Sequence, residues 1–413
     1  MTTQPTPALR IPFLELAAIT AAVMALNALA IDMMLPALGL ISDDLAIPRD
    51  NDRQLIIVGY VLANGFAQLF FGPLVDRFGR KRVLMWCFGG YILGSLLSVI
   101  ASSFVLLLAA RAFQGVATAG TRVASIAIVR DQCSGRRMAE VMSLAITIFM
   151  AAPILAPGIG QLILMVAPWR WIFVALLAYG AILALWAFLR LPETMAPEDK
   201  RMLSPSRILE GYREFVRNRI SLGYTLASAM CFGALFGYIS ASEQIFLETF
   251  HLGDKFALAF AGIAGSLGIA TLLNARIVSR FGMRRLAHGA ILLFLSVNAA
   301  HLIAAMAFGE SLLMFIPFMM VSFFALGLIG PNATALAMGP MGHNAGAAAA
   351  ANGFAGTTLA GFLGGVIGSF YDGTTMPMII GFVMLGASSL LLVLWTEKGV
   401  LFGVGEDQLE PAK

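Results

Sequence analysis

The chain has 413 residues, 59% hydrophobic and only 12% charged, with a formal net charge of +4. Soluble domains carry about 25% charged residues, and no soluble core absorbs this much apolar surface, so a water-soluble enzyme is excluded and function must lie within a bilayer. Lys and Arg fall in short loops between apolar runs, not in one patch, which argues against a nucleic-acid partner and reads as topology signalling.

In chain order, Arg10 precedes an apolar run of about 28 residues. The apolar region of a cleaved signal is roughly 7 to 15 residues long, so this first span, near 13–41, is expected to be retained. Further spans lie near 53–75, 84–102, 104–129, 138–167 and 170–191. The stretch that follows, rich in charge and proline, reads as a linker and not as a further span. A second six lie near 222–248, 256–278, 286–307, 311–337, 345–370 and 375–396. The expectation is an all-α integral membrane protein of twelve transmembrane helices in two six-helix bundles, 1–191 and 222–413, joined by a cytoplasmic linker at 192–221.

Orientation follows from the cations. Arg77, Arg80, Lys81 and Arg82 follow the second span, Arg130, Arg136 and Arg137 the fourth, and Arg276, Arg280, Arg284 and Arg285 the eighth. The odd-numbered connections hold only Arg49, Arg53, Arg170 and Lys255. The positive-inside rule then puts the even connections and both termini in the cytoplasm, as expected of a multi-pass protein of a bacterial inner membrane. RFGRKRV at 77–83 recurs as RFGMRRL at 280–286, each between the second and third spans of its half, which implies two parallel repeats. Cys87, Cys133 and Cys231 form no CxxC pair and read as packing residues, so neither a disulfide framework nor a metal site is expected.

Four stretches resemble the major facilitator superfamily and, within it, the bicyclomycin-resistance (Bcr/CflA) group of drug:proton antiporters. They are IDMMLPAL at 31–38, GPLVDRFGRKRV at 72–83, RAFQGVATA at 111–119 and APILAPGIGQ at 152–161. The resemblance implies the major facilitator fold and assigns the second stretch to a cytoplasmic latch, with Gly72, Asp76, Arg77, Gly79 and Arg80 as gating residues. On physical grounds, Gly72 would let span two pass close to another helix, Gly79 would permit a tight turn, and Arg80 could pair with Asp131. Asp76 could accept from the N-terminus of a helix in the other half. In the second copy Ser279 replaces the aspartate and Ala275 the glycine, so that latch is weakened. Pro153, Pro157, Gly158 and Gly160 should kink or loosen span five, and the resemblance makes this the antiporter motif. The small residues also permit close approach across the two halves. Ala156 and Gln161 stand where the motif usually has glycine.

Charges within the bilayer cost at least about 2.5 kcal/mol each, so each demands a role. Asp32 lies some eight residues before the outer end of span one, and Arg111 about seven residues into span four, which places both roughly 10 to 12 Å deep. The facilitator architecture makes those spans neighbours lining a cavity, so the two are expected to pair. Asp32 is then the proton acceptor and cation-sensing group, Arg111 its modulator, and Gln114 a polar neighbour one turn deeper. Glu243, in YISASEQIFLETF, is either a second titrating site facing the cavity or a solvated group facing the outer loop. His288 and His301 read as hydrogen-bonded packing residues. Asn27, Met150, Tyr238, Phe324 and Phe354 are the candidate lining of an adaptable apolar pocket.

The sequence has no GxxxxGK loop and no catalytic constellation, so neither ATP nor a cofactor is expected and an ion gradient remains as the energy source. One proton moving down about 100 mV yields roughly 2.3 kcal/mol, a concentration ratio of about fifty. The reading is a proton-coupled secondary transporter, expected as a monomer, exporting small, largely apolar molecules by alternating access, with substrate, protons and membrane lipid as its partners. Uptake of a nutrient or vitamin on the same scaffold, and a transport-dead membrane sensor, are the alternatives.

Overall fold

The computed structural model describes residues 11–133, 135–195 and 205–403, and among these the chain is helical with no strand. The helices are α1 (Phe13–Asp32), α2 (Leu38–Asp44), α3 (Leu55–Phe78), α4 (Arg80–Val99), α5 (Phe104–Gln132), α6 (Gly135–Leu164) and α7 (Arg170–Arg190). They continue with α8 (Pro205–Arg217), α9 (Arg219–Gln244), α10 (Phe256–Phe281), α11 (Met283–Phe308), α12 (Leu312–Met338), α13 (Ala345–Phe354), α14 (Ala360–Ser369) and α15 (Met376–Thr396). Among the described residues eleven helical segments are long and apolar enough to cross a membrane, and Ile148–Leu164 of α6 is a shorter apolar stretch. With α6 that makes the twelve-span membrane architecture expected from the sequence.

Helix starts follow local chemistry. Ser103, Asn218 and Ser311 cap α5, α9 and α12, their side-chain oxygens accepting from the backbone N–H three residues on, which satisfies donors the first turn leaves open. Gly79, with φ of 102°, ends α3 and starts α4, and Gly282, with φ of 81°, does the same between α10 and α11. Only glycine occupies that backbone region without strain, so the repeated RFG tripeptide encodes the same sharp reversal twice.

The chain divides into two compact units, Met1–Ile208 and Leu209–Lys413. In the first, α5 packs on α3 and α4, α1 on α6, and α4 on α7. In the second, α12 packs on α10 and α11, α9 on α14, and α11 on α15. These are the same pairings at corresponding positions, as a parallel duplication requires. The polar stretch between the sixth and seventh spans contains α8, whose Phe215 packs with Met341, Ala348 and Ala351.

Among the described residues three spans carry a break or a π-helical segment. The first stops at Asp32, passes through a turn and a 3-10 segment, Leu35–Ala37, and resumes as α2. Pro36 accounts for the interruption, because it offers no N–H to the ladder and disfavours α geometry at Leu35. The single span expected over 13–41 is therefore a broken one. Five-residue π-helical segments, Ile245–Thr249 and Ala355–Leu359, extend α9 and join α13 to α14.

Candidate functional site

The break in the first span sets the site. Asp32 is the last residue of α1 and is 4% exposed. Its Oδ1 has no hydrogen-bond partner among the described residues. A charged carboxylate so enclosed loses its hydration without replacement, and the carbonyl end of a helix offers it no compensation.

Arg111 on α5 is fully buried. Its guanidinium donates to the Ala30 carbonyl at 2.8 Å and to Gln114 Oε1 at 2.5 Å, and lies 4.4 Å from the Tyr60 ring centroid. The expected Asp32–Arg111 ion pair is thus corrected. The two spans are neighbours, but the two end nitrogens of the planar fork go to a backbone carbonyl and an amide over an aromatic face, while Nε has no partner among the described residues. Ala30 is one of the carbonyls that the end of α1 leaves open, and a cation there complements the helix dipole. Arg111 therefore holds the broken end of α1 by its backbone, two residues before Asp32. Gln114 continues the chain of contacts, donating to Ser95 Oγ of α4 at 2.7 Å.

Tyr60 joins the elements, and the sequence reading missed it. Its hydroxyl lies 2.7 Å from Asn27 Oδ1 and 2.8 Å from Thr118 Oγ1. Asn64 donates to Thr118 Oγ1 and to the Gly115 carbonyl, and accepts from Gln68. Asn27 belongs to this polar network and not to an apolar lining. The missed signal was a tyrosine and an asparagine four residues apart in the middle of an apolar span, where polar groups demand partners.

At the Gly79 end of the first unit the latch motif forms a clamp. Arg80 Nε meets Asp131 Oδ2 at 2.9 Å, as expected, and Arg80 also pairs with Asp76 at 3.3 Å and donates to Met195 Sδ. Thr194 donates to the same Asp131 oxygen at 2.8 Å. Glu193 accepts from the backbone N–H of Arg80, Thr194 and Met195. The clamp thus extends to the PET tripeptide after α7, which sequence reasoning had assigned to the linker. Arg77 is exposed, its guanidinium beside the Phe78 ring. Gly72 is corrected, since a Cβ added there would meet no atom within 4 Å.

Pro153 and Pro157 lie inside α6 without ending it, with Gly158 half-buried after the second. Gly160 sits against the break in the first span, where an added Cβ would collide with the Met33 carbonyl oxygen. Its close approach is to the residue after Asp32, within its own unit. Met150 is half-buried on the same helix.

In the second unit, Glu243 is 3% exposed, which rules out the solvated alternative. Tyr238 is fully buried among Phe246, Phe260 and Phe323, with ring centroids 4.8 to 6.2 Å away. It is a packing residue here, since side chains enclose it on several sides, and its pocket assignment is corrected. Phe324 and Phe354 are half-buried. His288 bonds the Tyr224 hydroxyl at 2.9 Å and accepts from the Phe402 N–H, and His301 meets Glu310 at 3.3 Å.

The sequence profile of the Major Facilitator Superfamily matches residues 20–365. A bicyclomycin resistance protein homolog of Haemophilus influenzae is 29% identical over 373 residues, 88% of this chain and 90% of that one. The multidrug resistance protein MdtL of Salmonella typhimurium is 30% identical over 379 residues, with the same shares covered. A solved structure of the xylose transporter XylE from E. coli, 12% identical, superposes with a TM-score of 0.72 over 94% of this chain and 99% of that one. At that identity the likeness concerns the fold alone.

Proposed function

Since the chain belongs to the major facilitator superfamily and is a multi-pass membrane transporter of the Bcr/CflA type, we propose that it is a proton-coupled exporter of small, largely apolar molecules, working by alternating access in a bacterial inner membrane. The observation that carries this reading is Asp32, a carboxylate buried at a helix break with no partner for Oδ1 among the described residues. Closed away from water, such a group holds a proton, and opened to water it releases one. A broken helix can change its exposure with small backbone movements, because the ladder is already interrupted there. Arg111, always charged, does not carry the proton but fixes the end of α1 that bears the acceptor. The drug-resistance names of the relatives support export as the direction.

The test is Asp32→Asn in proteoliposomes, with ethidium as a fluorescent apolar cation and an imposed pH gradient. The expected outcome is loss of pH-driven ethidium movement with thermal stability little changed, because the protonated carboxyl and the amide are both uncharged and of the same shape. Full coupling in the variant would remove Asp32 from the mechanism. Ethidium moving with the protons, not against them, would indicate uptake instead.

A further inference from the structure

Beside the clamp, the first unit has a groove of about 420 Å³ whose lining includes Phe78, Lys81, Arg82, Trp86, Phe188 and Glu193. We propose that it binds the phosphodiester headgroup of an anionic membrane lipid, of the phosphatidylglycerol kind, with the acyl chains lying along Trp86 and Phe188. Both rings are more than half exposed, at 55% and 60%, in a chain whose outer surface faces lipid. Arg82 lies four residues before Trp86 on α4, so a cation stands one turn nearer the helix end than the ring below it. That is the vertical order of a bilayer interface, phosphate level above the aromatic belt.

The charges select an anion. Arg82 is exposed and makes no hydrogen bond or ion pair among the described residues. Lys81 donates one N–H to the Phe188 carbonyl at 2.8 Å and keeps two more for an oxygen ligand. The only acid in the lining among the described residues, Glu193, accepts from three backbone N–H groups, all at Oε1. The groove therefore sets two cations against one carboxylate that is already hydrogen-bonded, an excess of positive charge that favours an acidic headgroup over a zwitterionic one, the arrangement by which basic pockets between membrane helices capture acidic headgroups.

The experiment is native mass spectrometry of the full chain released from micelles and titrated with phosphatidylglycerol or phosphatidylcholine of equal chain length. Each surface cation contributes roughly fivefold to binding an anionic headgroup, so phosphatidylglycerol should bind about 25-fold tighter at its first site. Lys81→Gln with Arg82→Gln should abolish that preference, while Lys81→Arg with Arg82→Lys should keep it and show that the groove still forms. Inorganic phosphate alone should not compete at millimolar concentration. Equal binding of the two lipids, a preference surviving the neutral double variant, or displacement by free phosphate would each overturn the proposal.

Discussion

Two motif glycines inside helices should respond to alanine to different extents. At Gly160 an added Cβ would lie 2.9 Å from the Met33 carbonyl carbon and 3.2 Å from Pro36 Cγ, with the Met33 oxygen closer still. The obstacle is backbone, which cannot rotate aside as a side chain could, so α6 and the break in the first span must separate. Overpacking of this kind costs about 1 to 3 kcal/mol. At Gly72 the same atom meets nothing within 4 Å beyond the chain neighbours, but Pro73 follows it and its ring crowds a side chain placed before it in a helix, which offsets the gain of about 0.5 to 1 kcal/mol that alanine brings through its smaller entropy loss. The Gly160 variant should therefore be the less stable of the two, by about 1 to 3 kcal/mol. Thermal unfolding of the purified variants side by side in one detergent gives the comparison. Gly160→Ala should also slow pH-driven transport, because the displaced residue adjoins Asp32. If Gly160→Ala melts with or above the parent protein, the inferred packing of α6 on the helix break is wrong.

The clamp at the Gly79 end gives a further prediction. Arg80→Ala should lower stability by about 1 to 3 kcal/mol, between the values for exposed and buried ion pairs, because Arg80 is nearly buried and Asp131 partly so. A double-mutant cycle with Asp131→Asn should recover at least about 0.5 kcal/mol of coupling, and strict additivity would mean that the pair contributes nothing. Tyr60→Phe removes the hydroxyl beside Asn27 and Thr118 while keeping the ring under Arg111. Intramembrane hydrogen bonds average about 0.6 kcal/mol, so a loss near 1 kcal/mol is expected, measurable in the same melts. A loss above about 3 kcal/mol would show that the hydroxyl supports more of the first unit than its two contacts account for.

Much of the architecture was legible because a bilayer constrains sequence strongly. Apolar runs of about 20 residues, the distribution of Lys and Arg, and the RFG repeat are local signals, and each follows from the cost of exposing polar groups to hydrocarbon. The Gly79 turn and the Arg80–Asp131 pair were equally readable, since one depends on backbone geometry and the other on charges at neighbouring helix ends. The prominence of Asp32 also followed from its sequence, because an isolated acid within an apolar span must be accounted for.

What the chain's order could not give is which partner each buried polar group takes. Depth along two helices matched Asp32 with Arg111, yet depth leaves rotation about the helix axis and the position of the break undetermined. Only the packed structure aims the guanidinium at Ala30, Gln114 and Tyr60 and leaves Asp32 Oδ1 without a partner among the described residues. The same holds for the glycines, identical as letters, of which an added Cβ would meet distant backbone at Gly160 and none at Gly72. Sequence fixed which groups must be satisfied inside the membrane, because that cost belongs to each residue. Tertiary structure decided how, because a hydrogen bond or a close contact depends on atoms brought together from distant parts of the chain.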